Sequence, residues 1–246
     1  MQERYLGDDK DYVKFALLRH LHRDLGVCLG MNWYLTDPHV VGDATKKDGE
    51  QRHGLDDNPW SNYDSDLCTR LCAFDQIARR QIAEVKNLEI LPPGMRDFAE
   101  HVPLDGRDAW FGRSQKDLAA ADLVFLDPDN GFETQSMTRR KAPKYALFSE
   151  AISYLHAGKI VVGIQFVGRI RLADRVQRTR DRLTAEGGSL AAHLPVIRGR
   201  LAPNVLFFAL APEGITKSVA RSLISFADAA PMRRTVRHER LCQIVH

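Results

Sequence analysis

Two strand patterns, separated by one helical pattern, constrain the fold more than any other feature of this sequence. Residues 123–126 are a continuous apolar run, as is typical of a strand that is covered on both faces of a parallel sheet, and residues 159–166 form a second, mostly apolar strand pattern. Between them, residues 145–156 have the spacing of an amphipathic helix that ends at Gly158. This order predicts a strand, a crossover helix and a second, parallel strand.

The rest of the chain continues the alternation. Periodicity predicts further helices at 10–25, 66–86, 95–101, 107–120, 172–186 and 218–227, and further strands at 28–35, 88–91, 204–211 and 241–245. Such alternation predicts an α/β fold with a Rossmann-like, doubly wound, mostly parallel sheet and helices on both faces. We therefore expect one domain over residues 1–246, with a long loop at 37–62 as a candidate lid and a C-terminal appendage at 228–246.

Composition excludes several classes of protein. A chain with 44% hydrophobic and 27% charged residues is typical of a globular protein, and no apolar run approaches the roughly 20 residues that span a bilayer. The acidic N-terminal segment lacks the apolar region of a signal peptide, and four cysteines are too few for a disulfide scaffold. We therefore expect a cytoplasmic protein without a membrane partner. The sequence also lacks the motifs of zinc proteases, P-loop hydrolases and serine esterases.

An acidic segment directly after the strand at 123–126 is the leading candidate for the functional site. Its polar side chains are Asp127, Asp129, Asn130 and Glu133. Ligands of open α/β sheets bind beyond the carboxyl ends of the strands, where these residues are expected. The acidic groups could coordinate Mg²⁺ or hold a substrate amine or hydroxyl. The same residues are also compatible with a plain Asp-Pro turn whose corner is Asn130-Gly131.

Polar residues near the strand at 159–166 extend this candidate site. Gln165 and Arg169 are expected to open onto the same crevice and to contact a ligand or a phosphate, unless they are only a solvated strand exit. Lys144, together with Lys141, follows the acidic segment. These lysines could complete the site of a metal-dependent nuclease or could simply be solvated at the start of a helix.

Several segments resemble one enzyme family. A buried strand followed by Asp-Pro-Asp-Asn resembles the Asp/Asn-Pro-Pro-Tyr/Phe motif of class I S-adenosylmethionine-dependent methyltransferases that act on amino groups. Residues 7–14 and 33–37, which flank a leucine-rich helix, resemble the opening of the bacterial 23S rRNA adenine-N6 methyltransferases and of the three-Cys-motif partner proteins. The resemblance covers residues 5–210 in organisation and a much shorter part of them in motif.

The resemblance implies roles for individual residues. The segment from Asp127 would receive the target amine, with the carbonyl of Pro128 and a side chain of Asp129 or Asn130 accepting its hydrogens. Lys14, Asp37 and Gly42, the one glycine of residues 36–43, would lie near the cofactor. Asn130 stands where the family has an aromatic residue that stacks on a flipped base, and Phe132 would take that role.

The helix at 172–186 carries a candidate nucleic-acid surface. Its arginines at intervals of three and four share one face, as contact with the backbone of DNA or RNA requires, and they are Arg171, Arg175, Arg178 and Arg182. Asp174 and Asp181 are interleaved with them and could instead pair with them along a solvated face. The net charge of +3 is too small to decide between these interpretations.

Three functional hypotheses follow. The first is an S-adenosylmethionine-dependent methyltransferase that acts on an amino group of a nucleic-acid base. The second is a Mg²⁺-dependent nuclease or phosphohydrolase that uses Asp127, Asp129 and Glu133 as metal ligands. The third is a non-catalytic nucleic-acid-binding protein that keeps the fold without the cofactor.

Overall fold

A computed structural model of the chain describes residues 1–7, 9–45, 63–74, 77, 80–191, 194–199, 205–230 and 242–245. The long loop that the sequence predicts at 37–62 is therefore described only as far as residue 45. Residues 231–241 of the predicted appendage also lie outside the described residues.

A mixed seven-stranded sheet forms the centre of the molecule, with the strand order β2-β1-β3-β4-β6-β5-β7. The strands are β1 (Leu29–Asn32), β2 (Arg96–Phe98), β3 (Leu123–Leu126), β4 (Ile160–Phe166), β5 (Val196–Gly199), β6 (Val205–Leu210) and β7 (Cys242–Val245). β2, β1, β3 and β4 run parallel, β6 is antiparallel to both of its neighbours, and β7 is antiparallel to β5. This architecture confirms the predicted α/β, Rossmann-like class.

Helices cover both faces of the sheet. They are α1 (Asp9–Leu25), α2 (Ser65–Phe74), α3 (Ile82–Asn87), α4 (Arg107–Asp117), α5 (Phe148–His156), α6 (Leu172–Gly187) and α7 (Thr216–Ala229). Side chains alternate along each strand, so one strand contributes to the hydrophobic cores on both faces of the sheet. Phe125 belongs to the core with α1, α2, α3 and α7, whereas Val124 and Leu126 belong to the core with α4, α5 and α6. None of the helices in the described part of the chain combines the length and the hydropathy that crossing a membrane requires.

Three local predictions are wrong, and all concern short or exposed elements. Residues 95–101 were expected to be helical but contain the edge strand β2, which is held by backbone pairing with β1. Residues 88–91 form a turn rather than a strand, with Glu89 at a φ of 48°. The predicted helix at 66–86 is divided into α2 and α3, and β5 was not predicted at all. Such short segments carry too little hydrophobic pattern to specify their partners.

The direction in which the chain winds places a crevice above the middle of the sheet. From β1 the chain proceeds to β2 on one side, whereas β3 lies on the other side of β1. This reversal creates a switch point between β1 and β3, where the loops at the carboxyl ends diverge and ligands bind in doubly wound sheets. The loops after β3 and β4 border the candidate site.

Candidate functional site

A pocket of about 830 Å³ opens at the carboxyl ends of β3 and β4. Its volume lies within the range of roughly 300–1,000 Å³ that is usual for small-molecule sites. Eight residues that the sequence predicts for the site line this pocket: Lys14, Asp127, Pro128, Asp129, Asn130, Lys144, Gln165 and Arg169. Four others do not line it: Asp37, Gly42, Phe132 and Glu133.

Asp127, the first residue after β3, is buried and ion-paired with a lysine from α1. Its Oδ2 lies 2.9 Å from Lys14 Nζ, and Asp11 Oδ1 lies 2.5 Å from the same nitrogen. Burial alone would lower the pKa of Lys14, but the attraction of Asp11 and Asp127 outweighs it and holds that pKa above its ordinary value. Lys14 is therefore a buried cation between two carboxylates, and it fixes the Asp127 side chain within the pocket.

Asp129 is also buried, but its partners come from the beginning of the chain and from neighbouring loops. Its Oδ2 accepts hydrogen bonds from Thr36 Oγ1 at 2.9 Å and Gln2 Nε2 at 3.2 Å, and it lies 3.7 Å from Lys144 Nζ. Burial would raise the pKa of Asp129, but the Met1 amine, Lys144 and Thr36 outweigh it and lower that pKa. These contacts join the loops after β1 and β3.

Lys144 is held mainly by a second buried carboxylate. Its Nζ lies 2.6 Å from Asp43 Oδ2, and Lys141 Nζ lies 2.6 Å from Asp43 Oδ1. Lys144 thus bridges Asp43 and Asp129, so its charge is shared within the protein. This arrangement ties the described start of the predicted lid loop to the rim of the pocket.

Asn130 differs from the two aspartates because its side chain does not help to hold the loop in place. Its backbone nitrogen donates to Lys144 O at 2.9 Å, whereas its side-chain amide has no hydrogen-bond partner among the residues that the structure describes. The next residue, Gly131, has a φ of 82°, and a Cβ there would lie 2.9 Å from Gln165 Oε1. The predicted Asn-Gly corner therefore exists, and it presents the amide of Asn130 at the pocket.

Gln165 acts as a structural bridge between β4 and the loop after β3. Its Oε1 accepts a hydrogen bond from the Phe132 backbone nitrogen at 2.9 Å, and its Nε2 donates to Phe166 O at 3.1 Å. Phe132 itself is buried and stacks on Phe148, with ring centroids 5.0 Å apart and planes at 9°. The aromatic residue that was predicted to stack on a base is therefore part of the core.

Glu133 lies apart from the carboxylates of the pocket. Its Oε1 accepts a hydrogen bond from the Phe148 backbone nitrogen at 3.1 Å and lies 3.8 Å from Arg182. The structure thus does not bring Glu133 together with Asp127 and Asp129 as a set of metal ligands. Within the described ranges, no group of three or more His, Cys, Asp or Glu side chains has the geometry to hold a metal ion.

Two residues that the resemblance places near a cofactor have structural roles in the loop after β1. Asp37 Oδ1 accepts a hydrogen bond from the His39 backbone nitrogen at 2.8 Å, which stabilises a local turn. Gly42 has a φ of 72°, and a Cβ there would lie 2.7 Å from the Arg140 guanidinium. Gly42 therefore makes room for an arginine of this chain rather than for a ligand.

The arginines of α6 do not form one uniform face. Arg171 is ion-paired with Asp174 at 2.9 Å, and Arg182 lies over the Phe148 ring at 5.1 Å. Arg175 reaches the pocket, whereas Arg178 is exposed and does not line it. The local pairing that the sequence offered as an alternative thus occurs at Arg171.

Tyr5, Lys10 and Asp11 are among the pocket residues that were not predicted from the sequence. Asp11 and Lys14 are three residues apart and share one side of α1. That spacing was visible in the sequence, but a carboxylate and a lysine on a helix are ordinarily a solvated pair. Only the packing of α1 across the strand ends turns this pair into part of a pocket.

Comparisons of the chain with protein-family models, with curated proteins and with solved structures find no match for it. Functional proposals for this protein therefore rest on its residues and their geometry.

Proposed function

We propose that the protein is an S-adenosylmethionine-dependent methyltransferase that acts on an amino group of a nucleic-acid base. The observation that carries this proposal is the position of Asn130, whose unpaired side-chain amide lies beside Pro128 in the pocket directly after β3. An amino group offers N–H donors, so a pocket that receives it needs carbonyl acceptors that the protein does not already use. Asn130 Oδ1 and the Pro128 carbonyl meet this need.

The two aspartates have a supporting part in this proposal. Asp127 is ion-paired with Lys14 at 2.9 Å, and Asp129 accepts hydrogen bonds from Thr36 and Gln2. Both carboxylates therefore hold the loop in one shape before an amine binds. Their contacts fix the backbone on both sides of Pro128. A rigid loop holds the nitrogen of the amine in one orientation, which is the main contribution of a protein to such a transfer.

The pocket fits part of the cofactor, whereas the loop after β1 does not. S-adenosylmethionine carries an ammonium, a carboxylate and an adenine ring. The pocket offers Arg169 for the carboxylate and the rings of Tyr145 and Phe166 for the adenine, whereas Asp11 and Asp127, which lie where an ammonium could bind, already pair with Lys14. When bound, the cofactor would supply the electrophilic methyl group.

The first alternative, a non-catalytic nucleic-acid-binding protein, is favoured by Arg178, which is exposed on α6 beside the pocket residue Arg175. DNA or RNA binding through Arg171, Arg175, Arg178 and Arg182 stays a prediction under either function. The second alternative, a Mg²⁺-dependent hydrolase, has less support. Glu133 lies apart from the other two proposed metal ligands, and Asp127 is ion-paired with Lys14.

Calorimetric titration with S-adenosylmethionine, followed by transfer of a labelled methyl group to single-stranded DNA and RNA, tests the proposal. We expect micromolar cofactor binding and measurable transfer. Asn130→Ala should lower transfer by about tenfold or more, because one hydrogen bond to the amine is lost. The matched control is Asn87→Ala, since Asn87 is exposed at the end of α3 and bonded to Glu84.

Three outcomes would overturn the proposal, and the first two would favour a named alternative. Absence of cofactor binding at millimolar concentration, with nucleic-acid binding intact, would indicate a binding protein. Cleavage of nucleic acid that requires Mg²⁺ and is abolished by chelation would indicate the hydrolase. An equal loss of transfer in Asn130→Ala and Asn87→Ala would show that the pocket is not the site of the reaction.

A further inference from the structure

One side of the pocket is lined by three cationic side chains from three separate parts of the chain. Lys10 comes from the first turn of α1, Arg169 from the loop after β4, and Arg175 from α6. These positions are up to 165 residues apart in sequence, so only the fold brings them together. Convergence of cations on one cavity is what recognition of an anionic group requires.

The acidic side chains of the same pocket form ion pairs with lysines outside this group. Asp11 and Asp127 both pair with Lys14, at 2.5 and 2.9 Å, and Asp129 lies 3.7 Å from Lys144. Within the described part of the chain, Arg169 has neither an ion pair nor a hydrogen bond. Within the described residues, the positive charge of Arg169 in the pocket is thus not taken up by a carboxylate of the protein.

Arg175 is positioned for a ligand rather than for a carboxylate of the protein. Its Nε donates to Val167 O at 3.1 Å, which orients the guanidinium, and no carboxylate of the described residues pairs with its terminal nitrogens. A Cβ at Gly168 would lie 3.3 Å from the Arg175 terminal nitrogen, and Gly168 has a φ of 67°. Partial burial lowers the pKa of Arg175 from its ordinary value, and the nearby Arg178 lowers it further. An anion bound here would relieve both effects.

Aromatic rings lie next to these cations. Lys10 Nζ is 5.8 Å from the centroid of the Phe166 ring, and Tyr145 lines the same pocket. A nucleotide combines the two features that this arrangement would recognise, because it has a charged phosphate joined through a sugar to a flat base. The volume of about 830 Å³ is sufficient for such a ligand.

We propose that Lys10, Arg169 and Arg175 form a phosphate subsite that binds the phosphate of a nucleotide whose base faces Phe166 and Tyr145. This inference goes beyond methyl transfer, because it assigns a nucleotide to Arg169, Tyr145 and Phe166, the same residues that the cofactor would otherwise occupy. A phosphate group with two negative charges can engage several cations at once, and guanidinium groups bind phosphate oxygens in a bidentate manner. The phosphate could belong to a free mononucleotide or to a nucleic-acid strand.

Calorimetry without S-adenosylmethionine tests the subsite separately from the proposed reaction. The probes are AMP, adenosine, and a short single-stranded oligonucleotide with and without a 5′-phosphate. We expect AMP to bind about tenfold or more tightly than adenosine, because the phosphate forms charge-assisted hydrogen bonds. Arg169→Gln and Arg175→Gln should remove this preference, whereas Arg178→Gln should keep it because Arg178 lies outside the pocket.

The oligonucleotides distinguish the two sources of phosphate. Tighter binding of the 5′-phosphorylated strand, lost in Arg169→Gln, would show that the subsite takes a terminal phosphate monoester. Equal binding of both strands that Arg169→Gln weakens and Arg178→Gln does not would assign the subsite to an internal phosphate. Since the Arg169 side chain is exposed and unpaired among the described residues, Arg169→Gln should fold normally even if Arg175→Gln does not.

Two results would overturn the phosphate subsite. One is equal binding of AMP and adenosine together with oligonucleotide binding that Arg169→Gln leaves unchanged. The other is an equal effect of Arg178→Gln and Arg169→Gln on every probe, which would indicate diffuse attraction by α6. A loss of S-adenosylmethionine binding in Arg169→Gln without any effect on AMP would assign these cations to the carboxylate of the cofactor instead.

Discussion

The loops after β1 and β3 occupy equivalent places at the carboxyl ends of neighbouring strands, but they use their polar side chains differently. In the loop after β1, Asp37 stabilises a turn and Gly42 accommodates Arg140. In the loop after β3, two buried carboxylates hold the backbone while the amide of Asn130 is left for the pocket. A position directly after a strand therefore makes a residue a candidate for ligand binding. Whether its side chain is available to a ligand depends on which groups of the protein already bind it.

Loss of Lys14 should have the largest effect, because it removes the cation that holds the loop after β3. Lys14→Ala leaves Asp11 and Asp127 buried without their partner, so we expect the free energy of unfolding to fall by about 3–5 kcal/mol. Urea denaturation measures this change. Lys116→Ala, at an exposed position on α4, is the control and should change stability by less than about 0.5 kcal/mol.

The double variant Lys14→Met with Asp127→Asn would sharpen this result. Removing both charges leaves Asp11 as the one carboxylate that has lost its ion pair with Lys14, so the double variant should be more stable than Lys14→Ala. A Lys14→Ala variant as stable as the wild-type protein would contradict the view that this ion pair organises the loop.

Asp129 should make stability depend on pH. The pKa of Asp129 is lowered in the folded protein, so its contribution is present above the unfolded pKa of about 4 and is lost as pH falls through the lower folded value. We expect Asp129→Asn to cost about 1–3 kcal/mol at pH 7 and progressively less below about pH 4. Urea denaturation from pH 7 to pH 3 measures the difference.

The control for this prediction is Asp105→Asn, because Asp105 pairs with Arg139 on the surface, where both side chains are 78% exposed. That variant should show little change at any pH, since exposed ion pairs contribute little to stability. A cost of Asp129→Asn that does not vary with pH would show that the pKa of Asp129 is not lowered in the folded protein.

Substitution of Gly131 should lower stability by a smaller amount. It tests the close contact between the loop after β3 and strand β4. Gly131→Ala places a side chain 2.9 Å from Gln165 at a φ of 82°, whereas Gly158→Ala meets no atom within 4 Å at a φ of 78°. Left-handed backbone should cost each variant about 1–2 kcal/mol. We expect Gly131→Ala to lose about 1 kcal/mol more in urea denaturation, because Gln165 must also shift. Equal costs would mean that this contact is easily relaxed.

The comparison of the two loops also shows how far local sequence can predict a site. The segment at 127–130 and Gln165 were predicted to open onto one crevice, and the structure places both at the pocket. The loop after β1 could not be judged in the same way. Nothing near Gly42 in sequence reveals that Arg140, almost a hundred residues later, fills the space beside it.

The sequence by itself determined the α/β class, because continuous apolar runs such as 123–126 and helical periodicity are local signals that burial on both faces imposes. Only the tertiary structure decided which polar side chains bind other groups of the protein and which remain available to a ligand. Lys14 and Asp127 are 113 residues apart, and Lys10, Arg169 and Arg175 lie on different elements. Their pairing and convergence depend on how α1 and α6 pack across the strand ends, and no spacing within a short segment can encode that packing.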